Sequence, residues 1–265
     1  FGAVGTVDAV ASGSIFVTAS DDIGSVTATA VGDGYADVEV TSLTGNIGTV
    51  VADASDDIYV YAQEGAITSV TATAGNEITV TAIGDITSVD ADGGSYVYVD
   101  SFSGSVGSVT ATARWDVDVF ADEGSIGSVT ATAGDDIEVT ASDDITSVGA
   151  DGGGNIYVES FFGNVGSVGA TAEDGYVQVF AEDDVTSVTA TAGGDSAGAQ
   201  FGAGDIYVEA FSGSVGSVVG NASDDFSVEA SSDIGSVAGV GDSLFVSAGG
   251  SVQTVDVEIM AGDDI

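Results

Sequence analysis

The sequence predicts an all-β fold, a parallel β-solenoid of about 13 coils built on a repeat of about 20 residues. Three observations carry that prediction. A Ser-Val or Thr-Val dipeptide recurs along the 265 residues, with its valine at Val7, Val26, Val50, Val70, Val89, Val109, Val129, Val148, Val168, Val188, Val218, Val237 and Val255. Ten of the twelve intervals between these valines lie between 18 and 20 residues, and the other two are 24 and 30. The stretches around each landmark alternate apolar and polar residues, and turn pairs such as Asp-Asp, Ser-Gly and Gly-Asp separate them.

One clean unit, residues 135–148, shows how a coil is written. Ile137 and Val139 fall on one face of a short strand, Glu138 and Thr140 on the other. Equivalent inward pairs are Ile58/Val60, Ile78/Val80, Val97/Val99, Val117/Val119, Ile156/Val158, Val177/Val179 and Ile206/Val208. Period-2 patterning with β-branched residues specifies strands, and side chains on such a strand point alternately to opposite faces. After the landmark valine the chain alternates again, with Val26, Ala28 and Ala30 inward and Thr27 and Thr29 outward. Asp and Gly between the strands set the turns. A unit this short cannot bury its apolar side alone, so it stacks on copies of itself.

The Ala-rich inward positions predict a narrow interior. At one coil per strand spacing, the stack makes a rod about 60 Å long. The coil has two or three sides; the Ile-x-Ser-Val step (Ile145 to Val148) breaks period 2 and points to a corner, hence to three. Residues 1–265 read as one continuous solenoid domain with insertions near 31–37 and 193–204. Both insertions follow a Thr-Ala-Thr-Ala segment, so both loops are expected on one edge of the rod.

Composition excludes much chemistry. The chain has 43 Asp plus Glu against one cation, Arg114, a formal net charge of −42, and it has no His, Cys or Pro. Zinc sites of the usual kind, His-based nucleophilic triads, haem ligation and disulfides are therefore ruled out. Nucleic-acid binding by phosphate neutralisation is excluded by the missing cations. Hydrophobic residues make up 44 %, so the chain is expected to fold despite its charge. No apolar run is long enough for membrane insertion. The chain opens on Phe1 rather than Met and lacks a basic leader, which reads as a mature or excised piece.

Three groups of residues are candidates for function. The paired acids Asp21/Asp22, Asp56/Asp57, Asp135/Asp136, Asp143/Asp144, Asp183/Asp184, Asp224/Asp225 and Asp263/Asp264 occupy turns. Turns of successive coils stack at strand spacing, where like charges repel by roughly 1 kcal/mol in water and more at a protein surface. Solvent salt, divalent cations or raised pKa values must relieve that repulsion, and carboxylates suit Ca²⁺. An outward aromatic series, Phe16, Tyr59, Tyr98, Tyr157, Tyr207 and Phe245, lies on the first strand of six coils. Such a series either stabilises cross-strand neighbours or makes a lateral contact. The third group is a Thr-x-Thr array, Thr27/Thr29, Thr71/Thr73, Thr110/Thr112, Thr130/Thr132 and Thr189/Thr191. It is similar to the arrays of ice-binding β-solenoids but is interrupted at Asp53, Asp90, Asp92 and Asp151. No carboxylate pair stands apart as a catalytic constellation, so no enzyme activity is expected.

An acidic, Cys-free, Gly/Asp/Thr/Ala-rich repeat of this kind resembles the repetitive surface proteins of bacteria and archaea: adhesins, surface-layer proteins and extracellular fibres. The resemblance implies an extracellular or cell-surface location and dependence on calcium. The nonapeptide Gly-Gly-x-Gly-x-Asp is absent; Asp151-Gly152-Gly153-Gly154-Asn155 comes nearest. The chain opens in mid-coil, since Phe1, Val4 and Val7 align with the segment from Phe211 to Val218. It closes on Asp263-Asp264-Ile265, which matches the start of another coil at Asp135-Asp136-Ile137. These residues are the expected end-to-end contacts of a fibre, filament or stalk whose partner is itself, as separate subunits or as neighbouring repeats. The alternative is a ligand-binding solenoid that takes ice or a glycan.

Overall fold

The computed structural model describes residues 2–32, 34–194 and 204–259. Long strands of eight residues alternate with short ones of five or six, beginning Val4–Ala11, Ile15–Ala19, Ile23–Ala30 and Val38–Ser42 and ending at Val252–Ile259. The long strands form a parallel sheet of 13 strands in chain order, and the short ones a parallel sheet of 12. This is a parallel β-solenoid of about twelve turns, as the periodicity predicts. No helix among the described residues is long and apolar enough to cross a membrane.

Each landmark valine is the fourth residue of a long strand, and the register stacks valine on valine: Val7 on Val26, Val26 on Val50, Val50 on Val70. The predicted corner needs correction. The Ile-x-Ser-Val step lies inside the long strand, as in Ile23–Ala30, so the coil has two sheets rather than three sides. Both residues between the inward isoleucine and valine point out, and the second residue of the strand drops out of the pairing: Ile23 faces Ile47 and Ser25 faces Thr49, while Gly24 has no partner in the register. The broken alternation thus lies within a sheet, at the same place in each of the two paired strands.

The chain divides into two compact units, Phe1–Thr132 and Ala133–Ile265. In the first, Ile47, Val50, Ile58, Val60, Ile67 and Val80 are among the fully buried side chains. In the second the same positions are held by Ile145, Val148, Ile156, Val158, Val185 and Val188. Burying each such side chain stabilises by roughly 1.5–3 kcal/mol. Buried alanines sit near the ends of many strands of both types, as at Ala52, Ala54 and Ala62. One substitution of bulk is compensated. Phe226 stands where the preceding short strand carries Ile206, and Gly220 stands where Ala190 does in the neighbouring long strand. A Cβ on Gly220 would lie 2.7 Å from the Phe226 ring, so the phenylalanine needs that glycine.

The insertion at 31–37 joins Ala30 to Val38 and buries Ala36 while Tyr35 is exposed. The insertion at 193–204 lies largely outside the described residues.

Candidate functional site

The acidic turns are built by a hydrogen-bond ladder. In a stacked turn the backbone N–H groups lie off the sheets and still need acceptors. The second Asp of a pair supplies one. Asp22 Oδ1 accepts from the Asn46 N–H at 2.8 Å, Asp144 Oδ1 from Asn164 at 2.8 Å, and Asp184 Oδ1 from Ser214 at 2.7 Å. On the other turn, Asp57 Oδ1 accepts from Glu77 at 3.0 Å and Asp136 Oδ1 from Asn155 at 2.6 Å, while Asp225 accepts from the Ser243 hydroxyl. Asn46, Asp85, Asn164 and Asp233 extend the same ladder without being part of an Asp-Asp pair. Asp21, Asp135, Asp143 and Asp183 are exposed at the turn tips. Asp263 and Asp264 lie outside the described residues.

Within each unit one turn gathers three carboxylates. Asp37, Asp56 and Asp57 in the first unit, and Asp205, Asp224 and Asp225 in the second, each bring one oxygen within 4.8 Å of the others. Sequence reading singled out the paired acids but not Asp37 and Asp205. They belong to the preceding coil and meet the pair only because coils stack. Burial pushes the Asp56 carboxyl above its ordinary value, and repulsion from Asp57 and Asp37 adds to this. The donor set is hard oxygen, as Ca²⁺ prefers, but Asp57 Oδ2 also accepts from the Tyr59 hydroxyl at 3.0 Å. Three carboxylates with oxygens already engaged fit a weak, partly hydrated cation site. Asp37, Asp56 and Asp57, with Asp205, Asp224 and Asp225, are the residues that would hold the ion.

The outward face of the 12-stranded sheet carries the aromatic series. In the first unit the register aligns Phe16, Glu39, Tyr59, Thr79 and Tyr98, and in the second Tyr157, Gln178, Tyr207, Ser227 and Phe245. Phe16 and Phe245 are exposed, whereas the four tyrosines are only partly so. Their hydroxyls donate to carboxylates: Tyr98 to Asp100 at 3.0 Å, Tyr207 to Glu209 at 2.6 Å, and Tyr157 to Glu159. The signal for these partners was in the sequence as Tyr-Val-Asp or Tyr-Val-Glu, because residues two apart on a strand share a face. Burial, and then the adjacent carboxylates, raise the pKa of all four tyrosines, so they stay protonated donors. Phe180 packs between Tyr157 and Tyr207 with ring centroids 5.6 and 5.3 Å away.

Asp100 is the outlier on this face. It is 3 % exposed, and its Oδ1 is buried with no hydrogen-bond partner among the described residues. Burial raises its pKa; the Tyr98 hydrogen bond opposes this and Asp122 adds to it. A carboxyl whose folded pKa is raised binds protons more readily folded than unfolded, so stability falls as pH climbs from the ordinary carboxylate range through the folded value. Asp100→Asn is therefore expected to raise the melting temperature at pH 7 by about 2–10 °C, from roughly 1–3 kcal/mol for a buried unsatisfied group. The gain should vanish below about pH 4. Thermal melts of both proteins across pH 3–8 test this, and a less stable variant at pH 7 would show that the charge is used.

On the 13-stranded sheet the threonines do face outward, but Thr71 and Thr110 both lie against Asp90. Val4 and Val7, expected at an end contact, are half-exposed on the first long strand, and Phe1 and Ile265 lie outside the described residues. Register, ladder and inward columns define a parallel β-solenoid repeat protein. The chain matches no protein-family model, and no curated protein and no solved structure matches it.

Proposed function

We propose that this is a non-catalytic structural protein that builds an acidic fibre, filament or stalk at the cell surface or outside the cell. It stacks end to end, on further copies or on further repeats of a longer chain. One observation carries this reading: the described neighbouring coils repeat the same pairing register and the same inward columns, so each coil offers the next the same face. Unpaired parallel edges with a repeated apolar column are templates for another strand. A head-to-tail contact of this kind propagates rather than closes.

The acid supports the same reading. A chain carrying −42 repels copies of itself unless counter-ions intervene, so assembly should be gated by cations. The two three-carboxylate turns are the proposed places for Ca²⁺. Electron microscopy and light scattering of the chain at low ionic strength, with chelator and then with millimolar Ca²⁺, test both parts. Expected are fibres that lengthen with Ca²⁺, together with a melting temperature raised by mass action. Equal rescue by Na⁺ at matched ionic strength would reduce the ion's role to screening. A monodisperse monomer under every condition would overturn assembly from separate subunits, and the absence of further repeats in the native polypeptide would then remove the fibre altogether.

A further inference from the structure

The second unit contains a cleft whose chemistry the fibre does not require. It opens on the outward face of the 12-stranded sheet, has a volume of about 350 Å³, and is lined by Tyr157, Phe161 and Tyr176 together with Asp136, Glu138 and Glu159. That volume is at the lower end of the roughly 300–1,000 Å³ range typical of small-molecule sites. Period 2 puts Glu138 on the outer face of one short strand, and the register sets it against Tyr157 on the next, with Glu159 two residues along. Phe161 follows at the turn and is 49 % exposed, so one aromatic wall faces solvent. The Tyr157 hydroxyl donates to Glu159, and Phe180 packs behind the Tyr157 ring, so this wall is held in place.

The charge in the cleft is unbalanced. Residues 133–265 contain no Lys, Arg or His, so no side chain of this unit can neutralise the three carboxylates. Burial raises the Glu138 pKa, the hydrogen bond from Thr140 opposes this, and repulsion from Glu159 adds to the rise. An occupant that relieves this arrangement must be positive. A hard metal ion gains nothing from aromatic walls, since it needs six or more oxygens. A neutral sugar stacks on the rings but leaves the carboxylates uncompensated. A cation with an apolar surface satisfies both, because ring faces attract alkylated ammonium groups and carboxylates supply the counter-charge.

We propose that this cleft binds a small organic ammonium cation of the quaternary or alkylated type, seated between Tyr157, Phe161 and Tyr176 and balanced by Glu138 and Glu159. Tyr157 and Phe161 are aromatic walls, while Asp136 lies at the turn end, where its Oδ1 already accepts the Asn155 N–H.

The test titrates the full chain with tetramethylammonium and choline by calorimetry and by NMR of the aromatic resonances, with K⁺, Ca²⁺ and glucose as comparisons. Saturable binding of the two ammonium ions is expected, with shifts at Tyr157, Phe161 and Tyr176, and weakening as salt rises. Phe161→Ala and Glu159→Gln should each weaken binding at least tenfold. Circular-dichroism melts of both variants should stay within a few degrees of the parent, which separates a lost site from a lost fold. No saturable ammonium binding, equal binding by parent and both variants, or tighter binding of glucose or Ca²⁺ at the same resonances would each overturn the proposal. Because the readout is binding by dispersed chain at low salt, it stands or fails independently of fibre assembly.

Discussion

Val50→Asp is expected to destroy the cooperative fold of the first unit, while Val51→Asp leaves it intact. The two valines are adjacent, yet Val50 is 0 % exposed and Val51 is 43 % exposed. Val50 stacks between Val26 and Val70 in the inward column. An aspartate there has no cation to meet, and a buried unpaired charge costs several kcal/mol even after relaxation. Against a total stability of about 5–15 kcal/mol, that is enough to unfold the coil, and neighbouring coils depend on it. Val51 lies outward between Thr27 and Thr71, where a surface change usually alters stability by no more than about 0.5 kcal/mol. Far-UV circular dichroism and hydrogen exchange of strands Ile23–Ala30 and Ile67–Ala74 provide the measurement. Equal damage from both substitutions would contradict the assigned faces.

Asp144→Ala should likewise lower the melting temperature by about 2–6 °C at neutral pH, and Asp143→Ala should not. Asp144 Oδ1 accepts from the Asn164 backbone at 2.8 Å and from its side-chain amide at 2.9 Å, while the Asp143 backbone carbonyl, which alanine retains, accepts from Ser160. Each hydrogen bond contributes about 0.5–1.5 kcal/mol, lessened here by exposure. The Asn164 backbone N–H, then its side chain, hold the Asp144 pKa below the ordinary carboxylate value. A depressed folded pKa gives stability that is present above the unfolded value and lost as pH falls through the folded one. The difference between Asp144→Ala and the parent should therefore be full above about pH 5 and shrink towards zero in stronger acid. A pH-independent difference would mean that the turn needs the side chain's shape rather than its charge.

The sequence alone determined the solenoid, its strand type and its inward residues. Period-2 alternation and a constant repeat are local signals, and each coil must bury the same face in the same way, so the inward positions of Val26, Ala28 and Ala30 follow from the chain alone. The number of sheets per coil was not legible. At Ile145 to Val148 a break in alternation can mark a corner or lie within one strand, and only the sheet hydrogen bonding distinguishes the two. The roles of the acids were not legible either. Asp143 and Asp144 look alike in the chain, but stacking places one against the next coil's N–H and leaves the other at the turn tip. The same stacking carries Asp37 to Asp56 and Asp57, about 20 residues away, and sets Glu138 beside Tyr157. What a residue does in this protein depends on the coil above or below it, and that neighbour is fixed by inter-coil register, which only the tertiary structure decides.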